Sequence, residues 1–156
     1  MGSDATVDND FQLFDWTVRN AVYATILERA VPPTADEIAV VLGISPDEVR
    51  SAYERLNSRH ALFLTPGSQD VRMAHPFSGV PTAFRVESGD RTYWANCAWD
   101  ALGIPAALHA DARIQAPLGD GESIRFAIDA GRVTGWDGVV HFPLPFRRWY
   151  DDLIET

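Results

Sequence analysis

Apolar residues recur every three or four positions through the first third of the chain, and every second position through much of the remainder. The stretch FQLFDWTVRNAVYATILERA (Phe11–Ala30) sets Phe14, Val18, Ala21, Val22 and Ile26 on one side of a helix. Two prolines then stop it. Thr34, with Glu37 three residues on, is a capping box that opens a short helix ended by Gly43. Ser45 and Glu48 form a second box with Pro46 at the first helical position, and they open a longer helix towards His60. Helix, short helix, glycine turn and longer helix is the order of a helix-turn-helix. ALFLTPGSQDVRMAHP (Ala61–Pro76) then supplies two short strands around a Pro-Gly turn, where a wing would lie.

From Thr82 the period is two. Thr82–Asn96 alternates and turns at Ser88-Gly89-Asp90, which predicts a hairpin. Further strands are expected over 111–136, turning at Gly119-Asp120-Gly121 and at Ala130-Gly131. GVVHFPLPF (138–146) reads as one more apolar strand, with Pro143 and Pro145 marking an edge or exit. Between strands, NCAWDALG (Asn96–Gly103) reads as a short helix ended by Gly103 and Pro105. The fold class expected is α+β, a winged-helix-like helical region followed by a small mixed β-sheet core with short helices. Residues 1–10, acidic and polar, are expected as a disordered tail, 11–75 as the winged-helix-like domain and 76–156 as the sheet core.

The charge balance alters the obvious inference from a helix-turn-helix. The net charge is −9 over 156 residues, and the predicted recognition helix sets Asp47, Glu48 and Glu54 against Arg50, Arg55 and Arg59. Phosphate backbones and anionic membranes both select positive fields, so the helices are expected to pack rather than bind DNA. A transcriptional regulator is the least favoured alternative. The chain has no apolar run of the ~20 residues that span a bilayer. Its polar, acidic start is neither signal nor transit peptide, so a cytoplasmic protein is expected, without nucleic-acid or membrane partners.

All thirteen basic residues are arginine, and there is one cysteine, Cys97. A single cysteine excludes an internal disulfide or a CxxC site. It stands in YWANCAWDALGIPAAL (Tyr93–Leu108), three residues before Asp100 and between Trp94 and Trp99. With Asn96 as N-cap, Cys97 would be the first helical residue, and Asp100 would share its face. A helix N-terminus favours the thiolate, whereas a neighbouring carboxylate and apolar surroundings oppose it. A thiol beside a proton-holding carboxyl suits chemistry in which sulfur takes a soft electrophile while the acid delivers the proton. From spacing alone, buried packing is the commoner role of such a cysteine.

HPFSGVPTAFRV (His75–Val86), YWANCAWDALGIPAAL and DARI (Asp111–Ile114) together resemble the alkylmercury (organomercurial) lyase family. The likeness runs from about Val18 onward. It implies a winged-helix-like region that does not act on DNA, a mixed catalytic core, and protonolysis of a carbon–mercury bond to a hydrocarbon and Hg(II). The family uses two cysteines and one aspartate. The resemblance makes Cys97 the first mercury ligand and Asp100 the proton relay, and soft sulfur suits soft mercury. It implies no cofactor, with Hg(II) as the bound product, and as partners an organomercurial and a small cellular thiol.

The family's second cysteine follows a segment resembling RRWYDDLIET, so a thiol or selenol would be expected next after Thr156, as if the frame were cut at a UGA codon. The alternative is a chain in which Cys97 works alone or with a small thiol. With one cysteine, weak or no turnover is expected, and a non-catalytic soft-metal binder or thiol sensor is the second functional alternative. Trp94, Trp99 and Phe77 are core packing or, in the sharper alternative, walls of an apolar substrate pocket. Pro76, Phe77 and Pro81 are expected as a rigid loop beside the cysteine segment. His75, His109 and His141 lack ligand-like spacing, and Arg147 and Arg148 are expected as a solvated edge.

Overall fold

The computed structural model describes residues 4–149, with side chains from Leu13 onward except that of residue 146. The chain divides into two compact units, Met1–His75 and Pro76–Thr156.

In the first unit, α1 (Asp4–Arg29), α2 (Ala35–Leu42) and α3 (Pro46–Ser58) pack together, followed by a ribbon of β1 (Phe63–Leu64) and β2 (Val71–Ala74). α1 buries Val18, Val22 and Ile26, as its spacing demands. Each such fully buried side chain contributes roughly 1.5–3 kcal/mol. The helix already runs from Asp4, where a disordered tail was expected. Once the packed turns exist, each added residue extends the helix at little cost, and a sequence rich in acids suits the N-terminal end of a helix.

Both capping boxes are complete. Ser45 Oγ accepts from the Glu48 N–H (3.3 Å), and Glu48 Oε2 accepts from the Ser45 N–H (2.9 Å). Thr34 and Glu37 do the same for α2, and Gly43 ends that helix at φ +67.

The arginines of α3 are engaged. Arg55 forks onto Asp15 (2.7 and 3.0 Å), whose carboxylate is 1% exposed, with Arg59 3.7 Å away. Arg50 pairs with Asp36 and Asp47. These guanidiniums therefore balance acids of their own unit, which agrees with a helix that packs.

The second unit opens with β3 (Phe77–Ser78). A five-stranded sheet follows, in the order β5-β4-β6-β7-β8, from β4 (Phe84–Ser88), β5 (Arg91–Ala95), β6 (Ala112–Pro117), β7 (Ser123–Asp129) and β8 (Arg132–Thr134). Every pair is antiparallel, whereas a mixed sheet was expected. The connection from β5 to β6 passes through the helix α4 (Ala98–Leu108), but the two strands flank β4 on either side, so no parallel neighbours arise.

Register sorts the side chains cleanly. Val86 lies opposite Tyr93 and Ile114, and Ile114 lies opposite Phe126; all four are buried. α4 packs on β4, β5 and β6 and covers this apolar face. On the other parity Arg85, Arg113 and Arg125 are exposed, and Glu87, Trp94, Gln115 and Ala127 are half-buried.

Two expectations fail towards the C-terminus. Residues 138–146 form no strand; the segment runs irregularly to a single 3-10 turn at Phe146–Arg148. Pro143 and Pro145 remove two of the N–H groups that a ladder along β8 would need. α4 also continues through Gly103 and Pro105 to Leu108, and His109 caps it in the left-handed region at φ +50. Pro105 is buried, so its packing outweighs the one lost backbone bond. Gly103 is needed for a different reason: a Cβ there would meet Pro76 Cβ at 3.0 Å.

Candidate active site

Helix α4 positions the thiol and the carboxyl. The N-cap is Cys97 rather than Asn96, with extended backbone (φ −147, ψ 177), and its carbonyl accepts the first helical bond from the Ala101 N–H at 3.0 Å. The helix thus begins one residue later than expected. Asn96 is the better cap by side chain, but it directly follows β5, and the chain bends into the helix only at Cys97.

This register makes Asp100 the third helical residue, so Cys97 and Asp100 hold the two positions of a capping box. Ser45–Glu48 and Thr34–Glu37 hold the same two positions in the first unit. The layout that there brings a hydroxyl and a carboxylate together here brings together a thiol and a carboxylate. Sulfur is too weak an acceptor to close the box, and the Cys97 side chain makes no capping hydrogen bond.

The thiol is half-buried, and Asp100 is 8% exposed. Burial pushes the Cys97 thiol up from its ordinary pKa, and the charge of Asp100 and a hydrogen bond from the thiol to that carboxylate push the same way. The backbone N–H groups of Asp100 and Trp99 act in the opposite sense, favouring the thiolate, but do not prevail. Burial and Asp100 together therefore favour the thiol form of Cys97 over the thiolate. Asn96 Nδ2 lies 3.5 Å from Asp100 Oδ2, at the outer limit of a hydrogen bond.

The aromatic residues expected around the pair are distributed differently from one another. Phe77 is fully buried and tilts against Tyr93 at 5.6 Å, so it supports the sheet from within the core. Trp94 alternates with Tyr93 and Ala95 along β5 and lies opposite Arg85, which places it on the sheet face turned away from α4. Only Trp99 stands beside the pair. It is 57% exposed and meets Phe142 edge-on at 6.0 Å; Phe142 in turn stacks on Trp149 at 5.0 Å. Trp149 is held by its Nε1–H, which donates to the Leu144 carbonyl (3.0 Å).

This cluster brings the segment 142–149 to the first turn of α4, and Phe142 and Trp149 were not singled out from the sequence. Their signal was there, as aromatic residues in a Pro-rich stretch that cannot form a central strand. His75, His109 and His141 are exposed. Among the described residues no three of His, Cys, Asp and Glu are grouped as a metal would require. No helix among them is long and apolar enough to cross a membrane.

Residues 77–153 match the family model for alkylmercury lyase (MerB). No curated protein matches the sequence. A solved structure, the mercury-bound form of MerB2, shares the fold with a TM-score of 0.62 at 21% identity, over 81% of this chain and 66% of that one. The chain thus spans just under two thirds of the length of that neighbour. Cys97, Asp100 and the aromatic residues around them all fall inside the matched segment. The second unit thus matches the alkylmercury lyase family model over 77–153, just under half of the chain, and the fold is similar to that of the mercury-bound MerB2.

Proposed function

We propose that the protein acts on organomercurials, with Cys97 as the mercury ligand and Asp100 as the proton donor. The observation that carries this is the thiol and the buried carboxyl at the N-cap and third position of one helix, in hydrogen-bonding reach of each other. The Cys97 sulfur displaces a small thiol or other ligand from R–Hg⁺ and forms an S–Hg bond, while its proton passes to the Asp100 carboxylate. Sulfur donation raises electron density on the mercury-bound carbon. The Asp100 carboxyl then protonates that carbon, the C–Hg bond breaks with its electron pair going into the new C–H bond, and Hg(II) stays on sulfur. The exposed face of Trp99 and the Phe142–Trp149 stack offer the organic group an apolar approach.

Two thiolates hold Hg(II) better than one, and Cys97 is the one thiol of these 156 residues. In the reaction as proposed, a small thiol supplies the second sulfur and carries Hg(II) away. The same fact favours a second function, a soft-metal binder that holds mercury without cleaving the bond. The winged-helix-like first unit serves packing in either case.

Phenylmercury with excess small thiol separates the two. Expected are benzene from the unaltered chain, a phenylmercury adduct without benzene from Asp100→Asn, and neither from Cys97→Ser. A stable adduct on the unaltered chain with no benzene would leave the binder standing, and an adduct that persists in Cys97→Ser would defeat both.

A further inference from the structure

The sheet face turned away from α4 carries a cluster of arginines. Arg85, Gln115 and Arg125 lie directly opposite one another across β4, β6 and β7, and Arg113 stands two residues along β6 from Gln115 on the same face. They line an open cavity of about 530 Å³, together with Glu87, Asp129 and Thr134. Neither Cys97 nor Asp100 lines it.

One of its two acids is paired with an arginine, and the other is bonded to a neutral hydroxyl. Glu87 pairs with Arg85 at 2.7 Å, and Asp129 accepts the Thr134 hydroxyl. Among the described residues Arg113 and Arg125 have no carboxylate partner, although the chain carries nine more acids than bases. In the first unit, by contrast, Arg29, Arg50 and Arg55 all hold carboxylates at 2.6–2.7 Å. Two guanidinium forks without a carboxylate partner, flanking a primary amide in a concave face, are the donor set for a small anion with two negative charges. The rest of the face carries two acids, Glu87 and Asp129, against one arginine, Arg85, and this with the net charge of −9 disfavours a nucleic-acid strand as the occupant.

We propose that this face binds a small dianion, a dicarboxylate or a phosphate, through Arg113, Arg125 and Gln115. Cross-strand diagonal neighbours on one face stand ~7–8 Å apart, so each fork can take one end of a short dicarboxylate, or both can converge on one phosphate. The proposal is independent of the chemistry assigned to Cys97.

The test is titration of the full chain with succinate and, separately, with inorganic phosphate. It is followed by the arginine side-chain N–H resonances in ¹H–¹⁵N spectra, against sodium chloride at matched ionic strength. Expected is a saturable shift of the Arg113 and Arg125 signals with at least one dianion, which also identifies the source. Binding should weaken at least about tenfold in Arg113→Gln/Arg125→Gln and be kept in Cys97→Ser. Arg113→Lys/Arg125→Lys retains charge without the fork, and it should fall between the two. Shifts no greater than chloride gives, or binding that survives the double glutamine variant with its amide spectrum intact, would overturn the proposal.

Discussion

At the scale of single residues the informative pair is Cys97 and Asp100, because the carboxyl helps to set the protonation of the thiol. Asp100 raises the thiol pKa both by its charge and by accepting the S–H, on top of the larger effect of burial. Replacing it with Asn removes the charge and weakens the acceptor while leaving the burial. The thiol pKa should therefore fall in Asp100→Asn but remain above that of an exposed cysteine. The rate of alkylation by iodoacetamide against pH reads this directly. Its inflection should move to lower pH in the variant, so that at pH 8 the variant reacts faster although it no longer protonates carbon. An inflection that stays in place would mean that the two groups do not share a proton. The pair itself was legible from the sequence as thiol and acid three apart. Its register was not, since a cap is decided by where β5 releases the chain, which no local pattern records.

At the scale of elements, the legible features are those set within four or five residues. The boxes Thr34–Glu37 and Ser45–Glu48 and the turn at Gly89 are local hydrogen-bond and φ requirements, and they fold as expected. Features decided by distant partners were hidden. Asp15 is a buried acid only because Arg55, forty residues on, reaches it. Pro105 sits inside a helix because that turn is buried. The arginine face could have been found in the strands, since Arg85, Arg113 and Arg125 all occupy the parity opposite Val86, Ile114 and Phe126. It goes unseen while polar strand positions are taken only as solvated.

One turn departs from its local rule. The two-residue connection from β7 to β8 holds Ala130 at φ +49 and Gly131 at φ +75, and a non-glycine residue in that region is strained. The Ala130 N–H donates to Asp111 Oδ1 at 2.8 Å, which helps to hold the conformation. Ala130→Gly keeps that N–H and relieves the strain, at the cost of some unfolded-chain entropy. A net gain of about 0.5–1 kcal/mol is expected in denaturant unfolding, with an unchanged slope.

At the scale of the whole molecule, the two units should respond differently to pH. In the first, Arg29 and the capping N–H of Thr34 hold the Glu37 carboxyl down to about 2, and the backbone and hydroxyl of Ser45 lower that of Glu48. A carboxylate with a lowered folded pKa contributes stability above its unfolded value of about 4.3, and that contribution is lost as pH falls through the folded value. Both groups cap the adjoining helices α2 and α3, so acid should loosen these ends first, between roughly pH 4 and 2.

In the second unit, burial raises the pKa of Tyr93, whose ring lies against Phe77, and that of Cys97. Here the sign reverses. The neutral forms are favoured on folding, so the contribution is complete below the unfolded pKa of about 8.5 for the thiol and 10 for the phenol, and is lost as pH rises through the folded values. Tyr53 in the first unit is raised as well, by burial, so alkali should weaken both units whereas acid singles out the first. Hydrogen exchange read peptide by peptide should show α2 and α3 losing protection on acidification while β6 and β7 retain theirs. Uniform loss at both extremes would mean that the two units unfold as one and that the caps do not decide the acid limb.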